Sequence, residues 1–239
     1  ASTHFGDAIW SEEQQMKLMI QTFASLIAGL AFFAATLFWP AGTFHYWQAW
    51  LFVAVFMLTT LGPSFYLAVS KPAALQRRMH AGPTAETRPA QRLVMCGIYL
   101  LATALFVVSA LDLRFGWSSP PTWLAIVGNI VVAVGLILAQ AVVFQNNYAA
   151  ATIRVEENQT LTTTGLYGLV RHPMYVGALI MMAGTPLALG SYWGLTVLIP
   201  AVVVLGIRIL DEEKMLTDEL PGYREYRQQV RYRLVPNVW

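Results

Sequence analysis

Apolar residues run along this chain in blocks too long for a half-buried strand and too continuous for the single stripe of a surface helix. Four blocks, Leu18 to Phe38, Trp47 to Val69, Leu93 to Leu111 and Trp123 to Phe144, reach the ~20 residues that a helix needs to cross a hydrocarbon core. A fifth stretch, Met174 to Ile207, contains no Asp, Glu, Lys or Arg. As one straight helix it would measure roughly 50 Å, so it must fold back on itself. Leu189, Gly190 and Ser191 are the expected break, with kinks at Pro186 and Pro200. The pattern predicts an all-α polytopic membrane bundle of about six transmembrane helices, with the last two forming a tight hairpin.

Charge placement adds an orientation. With the N-terminus inside, Lys17, Lys71, Arg77, Arg78, Arg88, Arg92, Arg154, Arg171 and every later cation fall on one side of the membrane, and Arg114 falls on the other. An odd number of crossings would scatter the later clusters, so both termini are expected in the cytoplasm. Trp39, Trp47, Trp50, Trp117 and Trp123 flank spans, as interfacial aromatics do. Composition agrees: 12% of residues are charged and 56% hydrophobic, against about 25% charged in soluble domains, which argues against an ordinary water-soluble enzyme. High apolar content with a net charge of +2 excludes disorder. The single cysteine, Cys96, supports neither a disulfide framework nor a Cys-rich metal site, and no metal is expected. The polar, acidic first residues followed by a long apolar run predict no cleavable signal.

The candidate chemistry lies late in the chain, in the loop VEENQTLTTTGLYGLVRHPMYVG. There Gly165 allows a close backbone approach and Pro173 suits the first turn of the next helix. Free N–H groups at His172 and Met174 would favour a carboxylate or phosphate. Read as isolated residues, Arg171 and Tyr175 could equally anchor this loop at the lipid headgroups. The last span leaves the membrane as GIRILDEEKML, with Arg208 and Glu212 four apart on one helical face and Asp211, Glu212 and Glu213 in a row. An i,i+4 salt bridge is the simplest use of Arg208 and Glu212; the acids could instead hold a cation or hydroxyl groups. Both ends of the hairpin lie at one face, so folding brings His172 and Glu212 together. A ligand with a carboxylate and cationic groups fits between them.

In combination, GLYGLVRHPMYVG, RILDEEKML and GYREYRQQVRYRLVP resemble the integral membrane methyltransferases of the isoprenylcysteine carboxyl methyltransferase and phospholipid methyltransferase group, over roughly residues 157 to 236. The resemblance implies S-adenosylmethionine as cofactor. It places His172, Pro173, Met174 and Tyr175 at the family's cofactor-binding HPxY positions, Tyr167 at the Tyr of a GxY element, and Gln159, Thr160, Leu161 and Thr162 in the preceding cofactor-lining segment. Glu212 and Glu213 match the acid pair that binds the cofactor, and Arg208 matches an arginine set near the substrate, the candidate catalytic residue. It also divides the chain into helices one to four, residues 1–156, and a cofactor-binding region with hairpin and tail, residues 157–239, within one membrane domain. The implied activity is methyl transfer to a lipophilic acceptor, a prenylated cysteine carboxylate or similar isoprenoid or lipid, at a site facing the cytoplasm.

Membrane sterol and steroid reductases carry a similar GxYxxxRHPxY element for NADPH, usually with Asn where this chain has Met174. A transporter or scaffold is the non-enzymatic alternative, but no span has an ionisable residue in its central part. Asn158 begins a glycosylation sequon on the expected cytoplasmic side, and His4, His45 and His80 read as solvated. Cys96 reads as a small packing residue. The basic loop with Arg77, Arg78, Arg88 and Arg92 reads as a topology signal in contact with anionic membrane lipids, since no nucleic-acid motif accompanies it.

Overall fold

The computed structural model describes residues 12–79, 84, 86, 88–146, 148–149 and 159–239. His4, His80, Arg154, Asn158 and the boundary between residues 156 and 157 lie outside them. The described elements are helical: α1 (Glu12–Phe33), a π-helical stretch (Ala34–Phe38), α2 (Trp39–Ala41), α3 (Trp47–Ser70), α4 (Pro72–Met79), α5 (Pro89–Phe115), α6 (Thr122–Gln145), a 3-10 turn (Gly165–Gly168), α7 (Pro173–Ala188), a second 3-10 turn (Trp193–Val197), α8 (Leu198–Glu219) and α9 (Tyr223–Gln229). Among the described residues no strand occurs, as the hydrophobic pattern implies. Five helical segments are long and apolar enough to cross a membrane: Met16–Ala41, Trp47–Ser70, Pro89–Phe115, Thr122–Gln145 and Trp193–Glu219. This is a multi-pass integral membrane protein. The sixth apolar helix, α7, has only 16 residues, roughly 24 Å of rise against the ~30 Å of a hydrocarbon core.

The hairpin breaks where the sequence puts it. α7 ends at Ala188, and helix resumes at Trp193. A polar knot fastens this turn to the end of α5. Asp112, fully buried, accepts from the Ser118 N–H at 2.7 Å, the Ser118 hydroxyl at 2.6 Å and the Ser191 hydroxyl at 2.6 Å, and Tyr46 donates to the Leu189 carbonyl at 2.7 Å. Beside the knot sits the main core, where Phe33, Leu37, Phe52, Leu105, Val132 and Leu189 pack.

The two arms of the hairpin lean on different neighbours, α7 mainly on α6 and α8 on α5. α6 and α7 run antiparallel with glycines in register. A Cβ on Gly177 would sit 2.7 Å from the Gly135 carbonyl oxygen, and one on Gly184 would sit 2.8 Å from that of Gly128. No side chain larger than hydrogen fits there, so the backbones touch directly. This contact sets the height of α7 against α6, and with it the position of the His172 end. Large apolar side chains such as Phe65, Leu93, Ile130 and Ile199 stay exposed on the outside of the bundle, facing where lipid would be. Cys96 is exposed there too, so it is not the packing residue its apolar surroundings suggest.

Candidate functional site

The ends of α6, α7 and α8 meet at the pole opposite the Asp112 knot, and short-range hydrogen bonds hold them there. Gly165, at φ +60°, brings the chain against Gln145, whose amide nitrogen would collide with any Cβ. Gln145 then accepts the Leu166 N–H at 3.1 Å and donates to the Thr164 carbonyl. Tyr167 is fixed from two sides: Asn146 donates to its hydroxyl at 3.1 Å, and the Tyr226 hydroxyl donates to its carbonyl at 2.7 Å. Pro173 occupies the first turn of α7, as expected. The N–H of His172, however, is not free for a ligand. The C-terminal tail passes alongside, and its Tyr232 and Arg233 carbonyls accept from the Arg171 and His172 N–H groups at 2.9 and 3.0 Å.

Charge at this pole is organised around two adjacent acids. Glu213 is buried: Arg171 donates to its Oε1 at 2.6 Å, Arg233 donates to its Oε2 at 2.8 Å, and His172 Nε2 lies 3.3 Å from Oε1. Arg171 also donates to the Val230 and Arg231 carbonyls, at 2.8 and 2.6 Å. It is therefore an internal clamp for the tail, and the headgroup-anchor reading does not hold. Glu212 faces the other way, with 20% of its side chain exposed, and its Oε2 accepts from the Tyr175 hydroxyl at 2.7 Å. The Tyr175 hydroxyl in turn accepts from Arg208 Nε at 2.9 Å.

Arg208 is buried and reaches the first turn of α5 and the segment before it, donating to Gln91 Oε1 at 3.0 Å and Glu86 Oε1 at 3.1 Å. Arg88 pairs with Asp211 at 2.9 Å, and Arg78 donates to Gln140. These cations of the basic loop are turned into the protein instead of toward lipid headgroups, because the half-buried Asp211 carboxylate of α8 and the buried Gln140 amide of α6 take them. Nothing in the loop's own sequence marks it as part of the site. Its partners in α8 are more than a hundred residues away along the chain.

A cleft of about 800 Å³, counted out to its open mouth, lies between the segment before the 3-10 turn, the start of α7 and the end of α8. Gln159, Thr160, Leu161, Thr162, Tyr167, His172, Pro173, Met174, Tyr175 and Glu212 all line it. Glu213 and Arg208 do not: they stand behind Arg171, His172 and Tyr175 and hold them in place. Sequence reasoning missed Asn146, Tyr148, Ala149, Met215, Leu216 and Leu220 as lining residues. Met215, Leu216 and Leu220 follow Glu212 at helical spacing, which is the signal that could have found them. Arg171, Tyr223 and Tyr226 complete the lining, and Leu161, Leu220, Tyr223 and Tyr226 form an apolar cluster at one end. Burial raises the Tyr167 hydroxyl to about 12, and burial likewise raises Tyr223 and Tyr226, so all three stay protonated at neutral pH. The cleft thus has an acidic and hydrogen-bonding wall opposite an aromatic and aliphatic one.

Residues 123–223 match the profile of the phospholipid methyltransferase family. That bears out the resemblance read from the C-terminal motifs and extends it back over α6, the helix whose glycines seat α7. Two curated relatives align as well. Over 95 residues, 37% of this chain and 22% of the relative, the sequence is 35% identical to a Delta(14)-sterol reductase of Mus musculus. Over 78 residues, 32% of this chain and 29% of the relative, it is 36% identical to a methanethiol S-methyltransferase of a Pseudomonas species. The chain spans less than a third of the length of either relative.

Proposed function

We propose that the cleft binds S-adenosylmethionine at the cytoplasmic face and that the protein is an integral membrane methyltransferase acting on a lipophilic acceptor. One observation carries the reading: the His172–Tyr175 element and Glu212, 37 residues apart for the bonded pair Tyr175 and Glu212, line one cleft together with the Gln159–Thr162 segment. The donor set suits the group. Glu212 offers a carboxylate for a cationic ammonium or sulfonium, Asn146, Gln159 and Thr160 offer neutral hydrogen bonds, and the Leu161, Tyr223 and Tyr226 end offers apolar walls for a purine. When bound, the sulfonium supplies an activated methyl group for direct displacement. The chain's part is positioning and exclusion of water. Glu212 and the aromatic end hold the donor, and the Arg208–Tyr175 hydrogen bond fixes the hydroxyl that braces Glu212. Arg208, buried behind Tyr175 and bonded to Gln91 and Glu86, acts through that tyrosine as a positioning residue. A thiol or amine acceptor would need a base, and His172, which lines the cleft, is the candidate.

The alignment with a sterol reductase supports a second reading, an NADPH-dependent reductase. Against it, Arg171 is the arginine among the described lining residues, and it is committed to Glu213, whereas a polyanionic dinucleotide calls for available cations. Calorimetry on the purified protein with S-adenosylhomocysteine and with NADPH separates the two. We expect binding of the former, weakened about ten- to a hundredfold in Glu212→Ala, as befits losing a hydrogen bond to a charged group. Arg208→Ala, which frees the Tyr175 hydroxyl that braces Glu212 and strands the buried Glu86, should weaken that affinity less than Glu212→Ala and lower the melting temperature as well. Binding of NADPH alone would reverse the assignment. Labelled methyl donor added with a total lipid extract then identifies the acceptor class.

A further inference from the structure

Tyr223 opens α9 and is 3% exposed, its ring packed beside Tyr226 and Leu220. Its hydroxyl oxygen is buried and has no hydrogen-bond partner among the described residues. Buried hydroxyls nearly always have one, so an exception requires a cause. Tyr226, one turn along, shows the ordinary state, donating to the Tyr167 carbonyl at 2.7 Å. Asn129 also leaves an oxygen unpartnered, but its amide nitrogen still donates to the Ala125 carbonyl at 2.8 Å, whereas the Tyr223 side chain has no second polar atom. The orphan also sits in a telling place. Tyr223 lines the same cleft as Glu212 and Tyr167. Burial, with Glu213 and Glu212 nearby, holds the phenol in its protonated form, so it can still donate at neutral pH.

We infer that the Tyr223 hydroxyl is a ligand-binding group whose partner arrives with the methyl donor: it hydrogen-bonds an oxygen of the bound nucleoside–amino acid. This rests on the methyl-donor reading above. A bond made only in the loaded protein has a distinctive consequence. Removing the hydroxyl costs the ligand-free chain nothing and relieves a buried unpaired group, while the complex loses a contact. A structural hydroxyl behaves in the opposite way.

The test compares Tyr223→Phe with Tyr226→Phe in the purified full chain, reading melting temperature without ligand and calorimetric affinity for S-adenosylhomocysteine and for methylthioadenosine, which lacks the amino-acid carboxylate. For Tyr223→Phe the ligand-free melting temperature should hold or rise, while S-adenosylhomocysteine binds about three- to tenfold more weakly, the range expected for one hydrogen bond. Tyr226→Phe, which breaks a formed bond, should melt earlier. Equal weakening for both compounds assigns the Tyr223 contact to the ribose, and weakening for S-adenosylhomocysteine alone assigns it to the carboxylate. Unchanged affinity in Tyr223→Phe with firm wild-type binding, or a melting temperature that falls as in Tyr226→Phe, overturns this inference alone. A wild-type chain that binds neither compound overturns the methyl-donor reading and this inference with it.

Discussion

Glu212 and Glu213 are neighbours in the chain with different surroundings, because one residue of helical rotation separates a cleft wall from a buried arginine clamp. Replacing Glu213 by Gln leaves Arg171 with an uncompensated buried charge, and breaking a buried pair in this way costs roughly 3–5 kcal/mol. We therefore expect Glu213→Gln to lower the melting temperature sharply, while Glu212→Gln leaves it nearly unchanged. Equal shifts in the two variants would contradict the division. In the sequence the two acids read as an equivalent pair. The motif located the residues, but the side chain each one meets is set by Arg171, 42 residues back, and by Arg233, 20 residues on. For the same reason Arg171 reads as a lone interfacial cation, and Glu86 is silent until its carboxylate is seen at 3.1 Å from Arg208.

The first four membrane spans were legible to within about six residues, and the break after Ala188 was legible too, since hydrocarbon thickness and continuous apolar runs determine span length almost by themselves, whereas the short helices α4 and α9 lie in segments read as loop and tail. Less legible was how they pack. The glycines that join α6 to α7 look unremarkable in an apolar run, and their meaning comes only from the opposite register of two helices. Gly177→Ala tests that contact. Its new methyl would meet the Gly135 carbonyl at 2.7 Å and the Ala139 N–H at 2.9 Å, both backbone atoms with little room to move. Overpacking of this kind costs roughly 1–3 kcal/mol. The displaced α7 should also weaken cofactor affinity, although the substitution lies outside the cleft lining, and thermal melting with calorimetry would show both effects together. The loop before α5 was the least legible element, since its cations serve Asp211 and Gln140 through contacts that no local pattern encodes.

At the scale of the whole molecule, the three protonated tyrosines tie the stability of the site pole to alkaline pH. Tyr167 keeps its proton up to about 12 when folded, whereas an unfolded tyrosine releases it near pH ~10. Between those values the folded chain binds more protons than the unfolded one, so stability falls as pH rises through this window and is untouched below it. Tyr223 and Tyr226 push in the same direction. Phenolate absorbance from these residues should appear only together with loss of the folded signal, and an early, independent titration would contradict their burial. The tail that crosses Arg171 and His172 has another consequence, for biosynthesis. Residues 230 to 233, which clamp the start of α7, emerge from the ribosome after α8 has been made. α7 and α8 can therefore enter the bilayer while the cleft is still open along one side. A nascent chain thus passes through a stage in which α6, α7 and α8 are made but the start of α7 is not yet clamped.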